Sequence, residues 1–283
     1  MREHIDAFLL ACRSENLSVR TVGWYAAHLR EFAEFANGGG VSADVVREFT
    51  VSLNLRNLSP YSVHGRLRTL RRFFRWCVAE GRLSVNPMTR VAMPKLPRRV
   101  PRGVSDVDFR RLLAACAGST WLDVRDRALL LLLRDTGCRS GEIANLEMAN
   151  VDLEKAVIRV IGKGGQERFA FLSVPTVGAI REWQATRVSG GARLFCSRGG
   201  EFSTTTLSQM LRRLKKKAEI TGRVNPHSFR HGFARDWLLS GGDLASLSQT
   251  LGHRDLQTTM IYAQFAVADL QAKHGRHSPL CTN

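Results

Sequence analysis

The sequence predicts a mainly α fold with a small β-sheet, divided into an N-terminal helical bundle and a C-terminal α+β domain. Three observations carry that prediction. Roughly the first eighty residues repeat apolar positions at helical spacing. A stretch holding Pro87, Pro94, Pro97 and Pro101, half of the chain's 8 prolines, then interrupts the pattern. Beyond it, long helical patterns enclose residues 151–172, where the period changes to two. With 283 residues, 44% of them apolar, there is ample material for two cores.

Ile5, Phe8, Leu9 and Cys12 share one face of a first helix. Val22, Tyr25, Leu29, Phe32 and Phe35 make the face of a second, which runs out at Asn37-Gly38-Gly39-Gly40. A third is expected on Val45, Val46, Phe49, Leu53 and Leu55. Ser59-Pro60 starts a fourth, whose seam is Val63, Leu67, Leu70, Phe74 and Cys77. Beside that seam, His64, Arg68, Arg71, Arg72 and Arg75 form a basic stripe, with no acid in the helix before Glu80. A solvated face usually interleaves both signs, so an unbroken cationic stripe points to a phosphate backbone. The helical domain is expected to span 1–86. A linker at 87–103 adds Lys95, Arg98, Arg99 and Arg102 to its prolines and should stay extended.

The second domain, 104–283, opens at Ser105-x-x-Asp108, a capping box ahead of Phe109, Leu112 and Leu113. The aliphatic run from Ala128 to Leu133 predicts a central buried helix ending near Gly137. Arg139 begins a short helix anchored by Ile143 and Leu146, with Glu142 close enough to hold its guanidinium. Val157, Ile158, Val160 and Ile161 before Gly162-Lys163-Gly164-Gly165, with Phe169 and Phe171 after, predict a hairpin with Lys163 at its tip. Those glycines are not a nucleotide-binding loop, because Val157 and Gly164 stand where that motif needs Gly and Ser or Thr. Helices follow at 175–188 and 203–220; the latter carries Lys215, Lys216 and Lys217, a second candidate for phosphate contact. Asn225 then caps a helix with Pro226 in its first position. His227 and Arg230 lie three residues apart near that N-terminus, where free N–H groups favour an anion.

The charge limits the partners. The chain has 42 basic and 25 acidic residues, a formal net charge of +17, which calls for a polyanion; with no amphipathic anchor in view, that is nucleic acid rather than membrane. MREHIDAFLL is not a signal peptide and the run at 128–133 is far too short to span a bilayer, so a cytoplasmic protein is expected. Six scattered cysteines without a C-x-x-C pair suit reduced, buried thiols.

Taken singly, His227, Arg230, His253 and Tyr262 read as packed or surface residues more readily than as chemistry; their order is the signal. His-x-x-Arg-His at 227–231, Leu-Gly-His at 251–253 and a tyrosine nine residues on resemble the C-terminal signature of the tyrosine recombinase (phage integrase) family. TGCRSGEIANL at 136–146 resembles the family's first-arginine box, and GKGGQERFAFL at 162–172 its hairpin lysine. Departures are small: Phe229 and Cys138 stand where Leu is common, and Ala263-Gln264 replaces the frequent polar-His ending.

The resemblance implies a SAM-like core-binding domain followed by a catalytic domain, as in an Xer-like site-specific recombinase or a mobile-element integrase. It implies cutting and rejoining of double-stranded DNA through a 3′-phosphotyrosine, without metal, ATP or other cofactor. Arginine grips two phosphate oxygens and stays charged, which suits Arg139 and Arg230 as a clamp. A tyrosine hydroxyl in water titrates near pH 10, so Tyr262 as nucleophile needs a base, the role carried over to His227. Lys163 would protonate the leaving 5′-oxygen, His253 would donate a hydrogen bond to the phosphate, and Glu142 would support Arg139. The DNA contacts expected are Arg68, Arg71, Arg72, Arg75, Lys215 and Lys216. The partners implied are a homo-tetramer on paired sites and a related recombinase or accessory protein, with the tail beyond Gln264 packing into a neighbouring protomer.

Three rivals stand beside this reading. His227 and His231 have zinc-pair spacing, but Ser228 occupies the place of the usual Glu and no third ligand is evident. A non-catalytic DNA-binding protein would not need the full residue set. A type IB topoisomerase shares the tyrosine chemistry and would relax supercoils without site preference.

Overall fold

Serine side chains start three of the four helices of the N-terminal half. After α1 (Arg2–Ser14), Ser18 caps α2 (Val19–Phe35), Ser42 caps α3 (Ala43–Leu55) and Ser59 caps α4 (Pro60–Ala79), each accepting a backbone N–H of the first turn. The computed structural model describes residues 1–97, 102–162, 165–187, 191–252, 256–263 and 274. The chain divides into two units, Met1–Arg99 and Val100–Asn283.

The first unit closes on an aromatic centre. Phe8 meets Phe73 edge-on, and Phe32 does the same with Phe49 and Phe74, around Leu29, Leu53, Leu67 and Leu70. Two residues of the expected faces are exposed at the ends of their helices: Leu55, and Phe35, whose ring still meets Phe49 at 5.3 Å. Part of the stretch read as linker packs here as well. Asn86 caps a single 3₁₀ turn, Pro87–Arg90, which sets Met88 and Val91 into this core, while Arg47 donates to the Arg90 carbonyl at 2.9 Å. Two buried apolar side chains outweigh the tendency of the prolines to hold the segment extended.

In the second unit, α5 (Asp106–Ala114) precedes α6 (Trp121–Thr136), which is buried at Val124, Ala128, Leu129, Leu130, Leu132 and Leu133. Thr120 caps α6, and Gly137 ends it in the left-handed region at φ 57°, so the chain turns at once toward α7 (Ser140–Ala144). A Cβ at Gly137 would also press on Phe233 and Leu251. The antiparallel sheet β1 (Val151–Asp152), β2 (Val157–Ile161) and β3 (Glu167–Phe171) follows, with Val157 opposite Phe171 and Ile161 opposite Glu167. Ile158, Val160 and Ala170 face the core, while Arg159, Ile161, Phe169 and Phe171 face out.

Then come α8 (Val174–Thr186), a hairpin of β4 (Cys196–Ser197) and β5 (Gly200–Glu201), α9 (Thr204–Lys217), α10 (Pro226–Leu239), α11 (Leu244–Leu251) and α12 (Gln257–Met260). Asn225 caps α10 in a reciprocal pair with Ser228, and Pro226 takes the first turn. A small satellite core of Ala234, Leu238, Leu247, Leu251 and Tyr262 joins α10, α11 and the residues after α12. Among the described residues no helix is long and apolar enough to cross a membrane. Cys12, Cys77, Cys116, Cys138 and Cys196 are buried free thiols.

Candidate active site

Arg139 is the N-cap of α7, and it closes a box with Glu142. The Arg139 backbone N–H donates to Glu142 Oε2 and its Nη1 to Oε1, both at 2.8 Å. Glu142 is buried, whereas the Arg139 side chain is 40% exposed. Burial pushes the Glu142 carboxyl up, but the charge of Arg168 and the hydrogen bonds from Arg139 outweigh it and hold the group below the usual carboxylate range.

The C-terminal end of α11 organises the arginines. Its last carbonyls have no partner within the helix and carry the negative end of its dipole. The Thr250 carbonyl accepts from Arg168 Nη1 at 2.7 Å, the Leu251 carbonyl from Arg230 Nη2 at 2.7 Å and the Gly252 carbonyl from Arg139 Nη2 at 3.4 Å. Three consecutive acceptors thus receive three guanidinium groups. Arg230 also donates to the Gly137 carbonyl at 2.9 Å, so it ties the C-terminal ends of α6 and α11 together. It is only 5% exposed. Burial and the nearby Arg139 charge lower its pKa to about 10, which still leaves it cationic at neutral pH.

Tyr262 sits in the satellite core, 2% exposed, and its hydroxyl lies 2.6 Å from His231 Nδ1. Burial raises the Tyr262 pKa and the charge of Arg230 opposes the rise. Burial, with His227 and Arg230 nearby, lowers the His231 pKa and favours the neutral imidazole that can accept from the hydroxyl. His227, one turn earlier on α10, is exposed. His227 and Arg230 therefore start from the same helix turn but enter different surroundings. Lys163 and His253 lie outside the described residues, as does the chain beyond Ala263 apart from His274.

The expected DNA contacts also separate. Arg68, Arg71 and Arg75 are exposed along α4. Arg72 instead turns inward: its Nη2 donates to Glu15 at 2.6 Å and its guanidinium lies over the Tyr25 ring. That acid follows the last residue of α1, and the sequence of the fourth helix alone does not reveal it. Lys215 reaches the Thr221 carbonyl at 3.3 Å, and Lys216 is exposed.

Two residues at this site were not singled out from the sequence. Arg168 occupies a core-facing position of β3, beside the outward Glu167 and Phe169; a charge on the inward side of a two-residue period was the available signal. His231 entered as the last residue of the His-x-x-Arg-His motif and as half of a zinc-like pair, without a role of its own, because its partner Tyr262 lies 31 residues away.

The model of the phage integrase family matches residues 104–268, and that of the phage integrase N-terminal SAM-like domain matches residues 5–81. Tyrosine recombinase XerC of Xanthomonas campestris is 33% identical over 270 residues, 91% of this chain and 83% of that protein. Tyrosine recombinase XerD of Pseudomonas aeruginosa is 32% identical over 288 aligned positions, 97% of each chain. Among solved structures, XerA recombinase aligns over 98% of this chain and 99% of its own, with 27% identity and a TM-score of 0.55. XerH bound to a palindromic difH substrate covers 92% of this chain and 80% of its own, with 21% identity and a TM-score of 0.76.

Proposed function

The chain belongs to the phage integrase family and is a tyrosine-type site-specific DNA recombinase, and from that premise we propose that Tyr262 is its nucleophile and that Arg139 and Arg230 hold the scissile phosphate. The observation that carries this reading is the end of α11, where Arg139 and Arg230 are fixed on adjacent carbonyls and the Arg230 charge acts on Tyr262, whose hydroxyl meets His231. A phosphodiester repels a nucleophile until its charge is offset; two anchored guanidinium groups do that without reorganising during the reaction. The tyrosine oxygen attacks phosphorus, the bond to the 5′-oxygen breaks, and the 3′-phosphotyrosine holds the strand until a 5′-hydroxyl reverses the exchange.

His227 is the base and Lys163 the acid that protonates the leaving 5′-oxygen, with His253 donating to the phosphate and Glu142 bracing Arg139. The 2.6 Å contact favours a second reading of one step, in which His231 receives the tyrosine proton. Removing the true base slows cleavage by about 10²–10⁴-fold, whereas removing a residue that only holds the hydroxyl does not, so His227→Ala and His231→Ala compared in single-turnover cleavage assign the step.

The primary test is incubation with junction DNA from the protein's own chromosome or element, followed by quenching in SDS. The wild type is expected to leave a covalent adduct in EDTA, and Tyr262→Phe none while still binding DNA. An adduct of wild-type yield from Tyr262→Phe would overturn the reading. The protein acts in the cytoplasm, as a homo-tetramer on paired duplex sites, with the segment 265–283 docking on a neighbouring protomer and a related recombinase or accessory protein as further partner. Truncation after Asp269 is expected to leave single-site binding intact and to weaken the two-site complex in sedimentation.

A further inference from the structure

Arg168 is the third guanidinium at the end of α11, and the roles above give it nothing to do. Its side chain is 10% exposed and spans three elements: Nη1 donates to Thr250 on α11 at 2.7 Å, Nη2 to Glu142 Oε2 on α7 at 2.7 Å and to Cys138 Sγ at 3.4 Å. The backbone is shaped around it. Gly252 lies at φ 64°, and a Cβ there would come within 2.6 Å of Arg168 Cδ. A buried cation brought this far into the core needs compensation by pairing, and its anion is the same carboxylate that braces Arg139.

The geometry points to Arg168 as a positioning residue for strand cleavage, holding Glu142 and the carbonyl end of α11 in one frame so that Arg139 and Arg230 present their guanidinium groups together. This rests on the assignment of those two arginines to the phosphate. Glu142 divides its two oxygens, Oε1 to the Arg139 side chain and Oε2 to Arg168 and the Arg139 backbone. Shared between two cations, the carboxylate orients Arg139 while cancelling less of its charge, and that charge stays available to an incoming phosphate. The fork geometry matters as well as the sign. One arginine can donate to Thr250 and to Glu142 at once, whereas a lysine offers a single nitrogen.

Among the described residues, Arg168 from β3 and Arg139 beside it hold Glu142 ionised, and Cys138 before α7 and Arg230 from α10 also interact with its charge. Without Arg168, burial acts on the carboxyl against weaker opposition. Cleavage should then acquire a pH dependence beyond the one that the histidine base already gives the wild type.

The test uses the full-length protein and a nicked substrate built from a site that the wild type cleaves, with duplex binding and thermal unfolding measured alongside. Arg168→Met is expected to slow adduct formation by about ten- to a hundredfold, as for a reacting group misplaced by an ångström, with DNA affinity retained. The deficit should deepen as the medium is made more acid, as Glu142 takes up its proton. Adding Glu142→Gln should remove that pH dependence without a further multiplicative loss, since both changes act through one link. A lowered melting temperature with a wild-type cleavage rate at every pH would reduce Arg168 to structural packing and overturn the inference. Should Arg168→Met not fold, Arg168→Lys carries the test. It keeps the charge but not the fork, and is expected to cleave about tenfold more slowly without the new pH dependence; a wild-type rate overturns the proposal. If the wild-type protein forms no adduct on any junction DNA, the assignment of the site itself fails, which is a separate outcome.

Discussion

His231 is held neutral by burial while its Nδ1 lies 2.6 Å from the Tyr262 hydroxyl, and that pairing ties the nucleophile's resting place to pH. The sign follows from linkage: the folded-state pKa is lowered, so below the ordinary histidine value the unfolded chain takes up a proton that the native one resists. Stability is fully present above that value and falls as pH drops from it toward the lowered one. Urea unfolding at about pH 7 and about pH 5.5 is expected to show this loss, and His231→Gln a smaller one. His28, also lowered by burial, contributes the same sign in both proteins, so the difference between them isolates His231. At this scale the sequence disclosed what is local. Arg139 and Glu142 are three residues apart and their contact could be read from spacing. The contacts of Arg168 with Thr250 and of His231 with Tyr262 span 82 and 31 residues, and no periodicity in the chain reports them.

Elements meet closely where side chains are missing. Gly103 runs across the first half of α10, pinned by the Val104 N–H to the Ser228 carbonyl at 3.1 Å, and a Cβ on Gly103 would fall 2.4 Å from Gly232 Cα. Both contacting atoms are backbone, so neither can swing aside. Gly103→Ala is therefore expected to lower stability by about 1–3 kcal/mol, the usual cost of overpacking, read as a lower urea midpoint with an unchanged slope. Amphipathic helices were the most legible elements, because a stripe such as Ile5, Phe8, Leu9 and Cys12 states both the helix and its buried face. The segment 87–103 was less so: Met88 and Val91 are isolated apolar residues among prolines, and only the presence of a core beside them makes a packed turn better than an extended chain.

Across the whole molecule the excess of positive charge, +17, is large, but single arginines differ in whether a carboxylate already holds them. Arg56 and Arg66 share Glu31, at 2.7 and 2.8 Å, and Arg72 is bound to Glu15. A guanidinium held by a carboxylate gives up that pairing before it can neutralise a phosphate, so its net gain on DNA is small, whereas an exposed arginine displaces only condensed counterions. Arg68, Arg71 and Arg75 are of the second kind and follow one another along α4. The two classes can be separated by salt titration of binding to any duplex longer than the footprint, since the logarithmic slope counts phosphates neutralised. Replacing Arg68, Arg71 and Arg75 by Ala together is expected to reduce the slope by about 0.9 for each phosphate no longer neutralised, with the unfolding midpoint almost unmoved. Arg72→Ala should do the reverse: it leaves the slope nearly as it was and lowers the unfolding midpoint, because it removes the interactions with Glu15 and Tyr25. An equal fall in slope from Arg72→Ala and from Arg68→Ala would mean that Arg72 abandons Glu15 on the duplex, and that the whole stripe, not its exposed part, tracks the backbone.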